Sequence, residues 1–132
     1  MLFRSRGATW SPGESMGFRA PESCPALARI PSTGDLLLLW NEAYDPKHYS
    51  HGGKRTPLVA AVSKDEGKTW GPARPIETDP DRAFTNPGIG FTKGGDVLVH
   101  YWTSEYRPNG AMGDDRIDLR LAIFDVDWLY GR

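Results

Sequence analysis

A short motif occurs twice in this chain, and this internal repeat constrains the fold more than any other feature of the sequence. The first copy contains Gly7, Thr9, Trp10 and Pro12, and the second contains Gly67, Thr69, Trp70 and Pro72, each sixty positions later. Two longer segments also align, CPALARIPSTGDLLLLW from Cys24 and NPGIGFTKGGDVLVHY from Asn86, if one residue is skipped before the glycine. Such self-similarity is typical of folds built by repeating one supersecondary unit.

The repeated unit has the pattern of short β-strands joined by turns. The chain contains 15 glycines and 11 prolines, and it lacks the periodicity of amphipathic helices. Strands are predicted near 25–30, 35–41, 56–63 and 69–76, and again near 87–92, 96–103 and 117–125. The pattern therefore predicts an all-β fold.

Four antiparallel strands repeated in series are typical of the blades of a β-propeller. We predict that residues 1–17 end a preceding blade, that 18–80 form one complete blade, and that 81–132 form a last blade without its fourth strand. Propellers close with about four to eight blades, so about two blades indicate a partial propeller. We expect a C-terminal fragment that needs its remaining blades, or a chain that self-associates. The alternative is a small β-sandwich.

Composition and charge exclude several classes of protein. The chain has 132 residues, of which 39% are hydrophobic and 25% charged, as in folded globular proteins. Its 16 basic and 17 acidic residues give a net charge of −1 and form no basic stripe, so nucleic acid is not an expected partner. No apolar run is long enough to predict a membrane span. The single cysteine, Cys24, excludes an internal disulfide and indicates no compartment.

The second copy of the motif lies in SKDEGKTW, residues 63–70, between two predicted strands. Ser63 and Asp65 have short side chains that can accept hydrogen bonds from nearby backbone N–H groups, and Gly67 can adopt a positive φ. Thr69 and Trp70 begin the return strand. These residues are therefore predicted to form a hairpin connection.

SKDEGKTW matches the Asp-box, SxDxGxTW, at every defined position and so resembles the sialidases and sialidase-like six-bladed β-propellers. PALARIPSTGDLLLLWNE, KRTPLVAAVSKDEGKTW, FTNPGIGFTKGGDVLVHYW and LAIFDVDWLYG resemble the C-terminal blades of bacterial sialidases and exo-α-sialidases. In that family the box occupies the turn between the third and fourth strands of a blade, away from the substrate. The resemblance implies structural roles for Ser63, Asp65, Gly67, Thr69 and Trp70.

Strand direction brings three other residues to one face. If the Asp-box lies at one end of the blade, the first and third strands both begin at the opposite end. Glu22, Arg55 and Asn86 come shortly before predicted strands and should share that face. The loops 42–55 and 103–117, which are rich in polar and aromatic residues, should lie beside them. We predict a carbohydrate-binding site here, with ordinary solvated loops as the alternative.

Sialidases bind the substrate carboxylate with three arginines, and a glutamate activates their tyrosine nucleophile. The resemblance implies that Arg55 is a clamp arginine, since a guanidinium and a carboxylate form two parallel hydrogen bonds. It also implies that Glu22 is the activating glutamate and hence a catalytic residue. The alternatives are an ion pair of Arg55 with Asp45 or Glu42, and a solvated Glu22.

The sequence departs from the sialidase pattern at the nucleophile. Asn86 precedes Pro87 where the family has the nucleophilic tyrosine, and an amide cannot form the covalent glycosyl intermediate of a retaining mechanism. Asn86 can still bind a sugar hydroxyl, so we predict a substrate-binding role. Four tyrosines could substitute as nucleophile, without a spacing that selects one: Tyr44, Tyr49, Tyr101 and Tyr106.

These residues support a glycan-directed, sialidase-like protein that could be a glycoside hydrolase. The alternatives are a non-catalytic propeller that binds a glycan or a protein, and a glycosidase that uses two carboxylates, one of them Glu22. No cofactor or metal is predicted, because HxxH at His48 and His51 lies in a loop and is poor evidence for a metal site.

Overall fold

The computed structural model of the protein describes residues 7–44 and 53–132. These residues form seven strands and one helix: β1 (Ala26–Arg29), β2 (Leu36–Asn41), β3 (Leu58–Ser63), β4 (Arg74–Glu77), β5 (Arg82–Phe91), β6 (Val97–Glu105), β7 (Asp118–Phe124) and α1 (Val126–Tyr130). Sheet one contains β1 to β4 and sheet two contains β5 to β7, both antiparallel and in chain order. The predicted all-β class is confirmed, while the interpretation of the sheets as propeller blades stays a prediction.

Three elements differ from the predictions. β4 begins at Arg74, five residues after the predicted start near 69, because Thr69 and Trp70 belong to the hydrogen-bonded turn and do not begin the return strand. β5 begins at Arg82, five residues before the predicted strand near 87–92, because it pairs with β6 on both sides of a bulge between Thr85 and Gly88. The helix α1 was not predicted. It is too short to show helical periodicity, but the Asp125 carboxylate accepts the Asp127 N–H at its start. Gly131, with φ 75°, ends the helix.

The main core lies between the two sheets. Leu37 and Leu39 of β2 and Leu58 of β3 contribute from sheet one, and Phe84 and Val99 contribute from sheet two. Every residue of β3 is buried, as is expected of a strand that is covered on both faces. Burial of this apolar surface is the main force that holds the sheets together.

The opposite face of sheet one has a smaller core. Leu38 and Trp40 of β2 pack there with Val59 and Ala61 of β3. Phe18, which precedes the first strand, covers them, and its ring centroid lies 4.7 Å from that of Trp40. Both faces of sheet one are therefore covered over β2 and β3.

A side-chain amide joins the two sheets at the end of β2. Asn41 is buried, and its Nδ2 donates to the carbonyl oxygen of Arg55 at 2.9 Å and to that of Phe84 at 3.0 Å. The two carbonyls belong to the segment before β3 and to β5. One amide group thus satisfies backbone acceptors from both sheets.

We predict that Asn41→Ala lowers the free energy of unfolding by about 1–3 kcal/mol, because it leaves two buried carbonyls without this donor. Urea unfolding measures the change. The control is Asn109→Ala in an exposed loop, for which we expect a change within about 0.5 kcal/mol. An Asn41→Ala variant as stable as the parent would contradict this role.

The Asp-box residues form a hydrogen-bonded turn between β3 and β4. The Ser63 hydroxyl donates to Asp65 Oδ1 at 2.9 Å and accepts the Gly67 N–H at 2.8 Å. Asp65 accepts the Thr69 N–H at 2.8 Å and the Thr69 hydroxyl at 2.6 Å. Gly67 has a φ of 83° and Trp70 packs at the edge of the smaller core. These bonds satisfy backbone N–H groups that the tight turn leaves without strand partners.

The first copy of the repeat has the same local geometry. Gly7 and Gly67 have φ values of 86° and 83°. A Cβ at Gly7 would lie 3.9 Å from Cζ2 of Trp10, and one at Gly67 would lie 3.8 Å from Cζ2 of Trp70. The glycine and tryptophan of each motif are therefore in the same relation, which supports the repeat that the sequence indicates.

The Asp-box turn should make stability depend on pH. Hydrogen bonds from the side chain and then the backbone N–H of Thr69 lower the pKa of Asp65 from 3.8 to about 2. A carboxylate whose pKa is lower in the folded state stabilises the fold above pH 4, and this contribution is lost as the pH falls from about 4 to 2.

We predict that Asp65→Asn lowers Tm near neutral pH and that the difference from the parent shrinks between pH 4 and pH 2. Thermal unfolding followed across this range measures it. Asp81→Asn, at an exposed aspartate of another turn, is the control. A difference in Tm that is constant down to pH 2 would show that the Asp65 charge does not stabilise the turn.

Candidate functional site

An open cavity lies at the end of the sheets opposite the Asp-box turn. Its volume is about 420 Å³, and it is lined by Glu22, Ser23, Cys24, Arg55, Thr85, Asn86 and Met112. β1 and β3 begin at this end, so the segments that precede them contribute to one surface. The structure thus brings together all three residues that the sequence singled out, Glu22, Arg55 and Asn86, although their roles stay predictions.

Arg55 is the most buried charged residue of the cavity, with 6% of its surface exposed. Its backbone is fixed by the segments around it. The N–H donates to the Tyr106 hydroxyl at 2.5 Å, and the carbonyl accepts the amide of Asn41 and the Phe84 N–H, at 2.9 Å each. These bonds anchor the residue before β3 begins, and they fix where its side chain starts.

The Arg55 side chain has unused hydrogen-bonding capacity. Its Nε is buried and has no hydrogen-bond partner among the described residues. Buried polar atoms are normally satisfied, so the unpaired Nε shows that no side chain of the described residues competes for this guanidinium. Glu42, one of the two predicted ion-pair partners, forms no ion pair with Arg55 in the described part of the chain, and Asp45 lies outside it.

Other arginines near this end are already paired. Arg82 lies 3.1 Å from Glu105 and 3.6 Å from Asp118, and Arg107 pairs with Asp114. Arg82, Glu105 and Arg107 line a separate depression of about 250 Å³ with Arg116. Their charges are compensated within the chain, which distinguishes them from Arg55.

Asn86 lies inside β5 at the bulge, and not before a strand as the sequence predicted. Its φ is 50°, in the left-handed region, and the side chain is exposed on the cavity. Asparagine adopts this conformation more readily than other residues with a side chain. A bulge turns a side chain out of the regular alternation, and here it directs an amide to the cavity.

Glu22 and Cys24 lie on the other wall of the cavity. Both are exposed, and the Ser23 N–H donates to the Pro21 carbonyl at 2.7 Å in the turn that carries them. Glu22 therefore presents a carboxylate, and Cys24 a free thiol, to the same space as Arg55. The sequence predicted only the carboxylate.

None of the described tyrosines lines the cavity. Tyr101 is buried between the sheets, where its hydroxyl donates to Glu77 at 2.5 Å, and burial is the main cause of its raised pKa. Tyr106 supports the Arg55 backbone, and burial raises its pKa also. Tyr44 is half exposed but lies elsewhere, and Tyr49 lies outside the described residues.

Sequence reasoning missed four lining residues: Ser23, Cys24, Thr85 and Met112. The first three are neighbours of predicted residues and could have been found by including the flanking positions. Met112 arrives through a bridge with Tyr106 that closes the loop after β6. The sequence predicted that the loop 103–117 lies beside the site, but no sequence signal marks this pairing or selects Met112.

The described residues contain no group of three or more His, Cys, Asp or Glu that could hold a metal ion. His48, His51 and Asp45 lie outside them. Within residues 7–44 and 53–132, no helix has the length and apolar character needed to cross a bilayer.

Comparisons with protein-family models and with curated proteins found no match to this chain. The resemblance to sialidases therefore stays a prediction from the Asp-box and the other quoted segments of the sequence.

The left-handed backbone at Asn86 should limit which residues the bulge accepts. We predict that Asn86→Ala lowers the free energy of unfolding by about 1–2 kcal/mol, because alanine is strained at this φ. Asn86→Gly is the matched control and should change stability much less. Urea unfolding compares the three proteins. Equal stability of the two variants would show that the bulge does not need the left-handed conformation.

Proposed function

We propose that this protein is a sialidase-like, glycan-directed β-propeller protein that binds carboxylated sugars in the cavity of Glu22, Arg55 and Asn86. The observation that carries the proposal is Arg55. Its side chain is buried in the wall of an open cavity, and its Nε lacks a partner among the described residues.

The chemistry of Arg55 favours an anionic ligand. A guanidinium recognises a carboxylate through paired hydrogen bonds, and these bonds are stronger where water is excluded. A buried arginine whose backbone is fixed loses little conformational freedom when the ligand binds. A sugar that carries a carboxylate, such as sialic acid, would bind Arg55 through that group and the polar wall of the cavity through its hydroxyl groups.

Asn86 and Glu22 suit recognition of those hydroxyls. An amide donates and accepts hydrogen bonds, and a carboxylate accepts them. Asn86 cannot act as the nucleophile of a retaining sialidase, and none of the described tyrosines lines the cavity. Binding without turnover is therefore the activity that this geometry supports best.

A second candidate function is glycoside hydrolysis with Glu22 as a catalytic carboxylate. The observation that favours it is the exposed carboxylate of Glu22 in the same cavity as Arg55. Hydrolysis needs a second carboxylate or a nucleophile, which further blades would have to supply.

We predict that a carboxylated glycan binds the protein and that Arg55→Ala weakens binding about ten- to a hundredfold, as expected for loss of a charge-assisted hydrogen bond. Titration calorimetry with sialyllactose, after a screen of carboxylated glycans, measures the affinity. Arg107→Ala, at an exposed and already paired arginine, is the control and should bind normally.

The methyl ester of the same glycan provides a test that needs no mutation of a buried residue. Esterification removes the charge and should weaken binding to a similar extent. Equal affinity for acid and ester, or no binding of any carboxylated glycan, would overturn the proposal.

The two candidate functions are separated by Asn86→Tyr, with Asn86→Phe as the matched control for strain at the left-handed position. Hydrolysis of fluorogenic aryl sialosides is the measurement. Activity in the tyrosine variant alone would indicate a binding protein derived from an enzyme. Activity already present in the parent would contradict a binding function without turnover.

A further inference from the structure

Sheet two has an apolar face that is not covered within the described residues. Four large side chains on this outer face are at least half exposed: Trp102 at 50%, Leu119 at 69%, Leu121 at 61% and Ile123 at 59%. Single exposed apolar residues are normal in proteins, but a contiguous group marks an interaction surface.

Strand register makes the group contiguous. Across β6 and β7, Ile123 is opposite Leu98, Leu121 is opposite His100, and Leu119 is opposite Trp102. Gly88 of β5 is opposite His100, and a Cβ there would lie only 2.1 Å from the imidazole Nε2. Glycine at 88 therefore allows the ring of His100 to lie across β5 and continue the surface.

The surface extends beyond the strands to the loop after β6. Met112 and Ile117 are both exposed and line a shallow cavity of about 210 Å³ with Trp102. We call the complete set the outer patch: Trp102, Met112, Ile117, Leu119, Leu121 and Ile123. Because Met112 also lines the candidate glycan site, the outer patch reaches the edge of that site.

The internal repeat identifies an equivalent sheet face elsewhere in the chain, and that face is buried. In the alignment of the two units, Leu37 corresponds to Leu98 and Leu39 to His100. Leu37 and Leu39 are fully buried against sheet two. The outer face of sheet two is thus the counterpart of a face that this chain buries against another sheet.

We infer that the outer patch is covered by the same patch of a second copy of this chain, in a two-fold dimer. The inner faces of both sheets are covered within the described residues, and the opposite face of sheet one is covered over β2 and β3, while Leu27 of β1 stays exposed at 61%. Among the described residues, the sheet face with several neighbouring exposed apolar side chains is the outer patch, so the outer patch of a second copy is the surface best suited to cover it. Two identical patches meet in a two-fold interface that closes and does not polymerise.

The area and the charge are compatible with such a dimer. At about 100 Å² for each partly exposed large side chain, the six residues offer roughly 600 Å² per copy. Two copies then bury roughly 1,200 Å² of apolar surface, the lower end of the range for stable specific interfaces. The net charge of −1 per chain gives little repulsion between copies.

The test is the mass of the 132-residue chain in solution, measured by light scattering on a size-exclusion column over a range of concentrations. We expect twice the 14.7 kDa of one chain. Leu121→Glu places a charge at the centre of the outer patch and should weaken dimerisation at least about thirtyfold, as for a central interface residue.

Leu27→Glu is the matched control, because Leu27 is also a strand leucine with 61% exposure but belongs to sheet one. It should remain a dimer. Leu119→Arg, at the most exposed leucine of the patch, replaces Leu121→Glu if circular dichroism shows that the latter is unfolded.

A mass of one chain at every concentration would overturn the inference. A dimer that survives both patch variants would also overturn it. Larger assemblies that Leu27→Glu disrupts as strongly as Leu121→Glu does would overturn it too, since such assemblies would use sheet one. Glycan titration of the Leu121→Glu variant keeps the two proposals separate, because the dimer does not rest on the proposed function.

Discussion

The buried amide of Asn41 fixes how the two sheets meet at the end that carries the candidate site. It donates to one carbonyl before β3 and to one in β5, so three segments are held by a single side chain. The apolar core supplies most of the attraction between the sheets, but it is not directional. The hydrogen bonds of Asn41 are directional, and together with the bond from the Phe84 N–H to the Arg55 carbonyl they determine where Arg55 and Phe84 lie relative to each other.

The position of Arg55 in the candidate site depends on these hydrogen bonds of Asn41. Arg55 is held through its carbonyl by Asn41 and through its N–H by Tyr106, which belongs to the loop after β6. The backbone of Arg55 is therefore positioned by contacts with both sheets, and its guanidinium forms no ion pair within the described residues. This leaves the charge available to a ligand, as the proposed recognition of a carboxylated sugar requires.

The two ends of the sheets serve different purposes. At one end, the Asp-box turn is closed by its own side chains, and Arg29 pairs with Glu66 to connect the turn to β1. Arg29 and Glu66 are exposed, so the pair adds little stability and mainly orients the turn. At the other end, a bulge and two loops surround a cavity. Hydrogen bonds between neighbouring residues are enough to form the Asp-box turn, whereas the cavity at the other end forms only through contacts between the two sheets.

The apolar surface of sheet two likewise depends partly on the local sequence and partly on the tertiary structure. β7 has apolar residues on both faces, with Ala122 and Phe124 packed against the core and Leu121 and Ile123 exposed. A strand patterned in this way is suited to burial on both sides. The sequence shows the pattern, but only the structure shows which of the two faces is left uncovered.

The sequence by itself determined the all-β class, the Asp-box turn and most of the strands, though not the starts of β4 and β5, because these depend on residue periodicity and on hydrogen bonds within about six positions. From the predicted strand directions, the sequence also indicated that Glu22, Arg55 and Asn86 lie on one face. Tertiary structure alone decided the bulge at Asn86, the support of Arg55 by Tyr106 and the choice of Met112, from the loop 103–117, as the residue that lines the cavity. The physical reason is distance along the chain: Asn41 and Phe84 are 43 residues apart and Arg55 and Tyr106 are 51 apart, so no local pattern records these contacts.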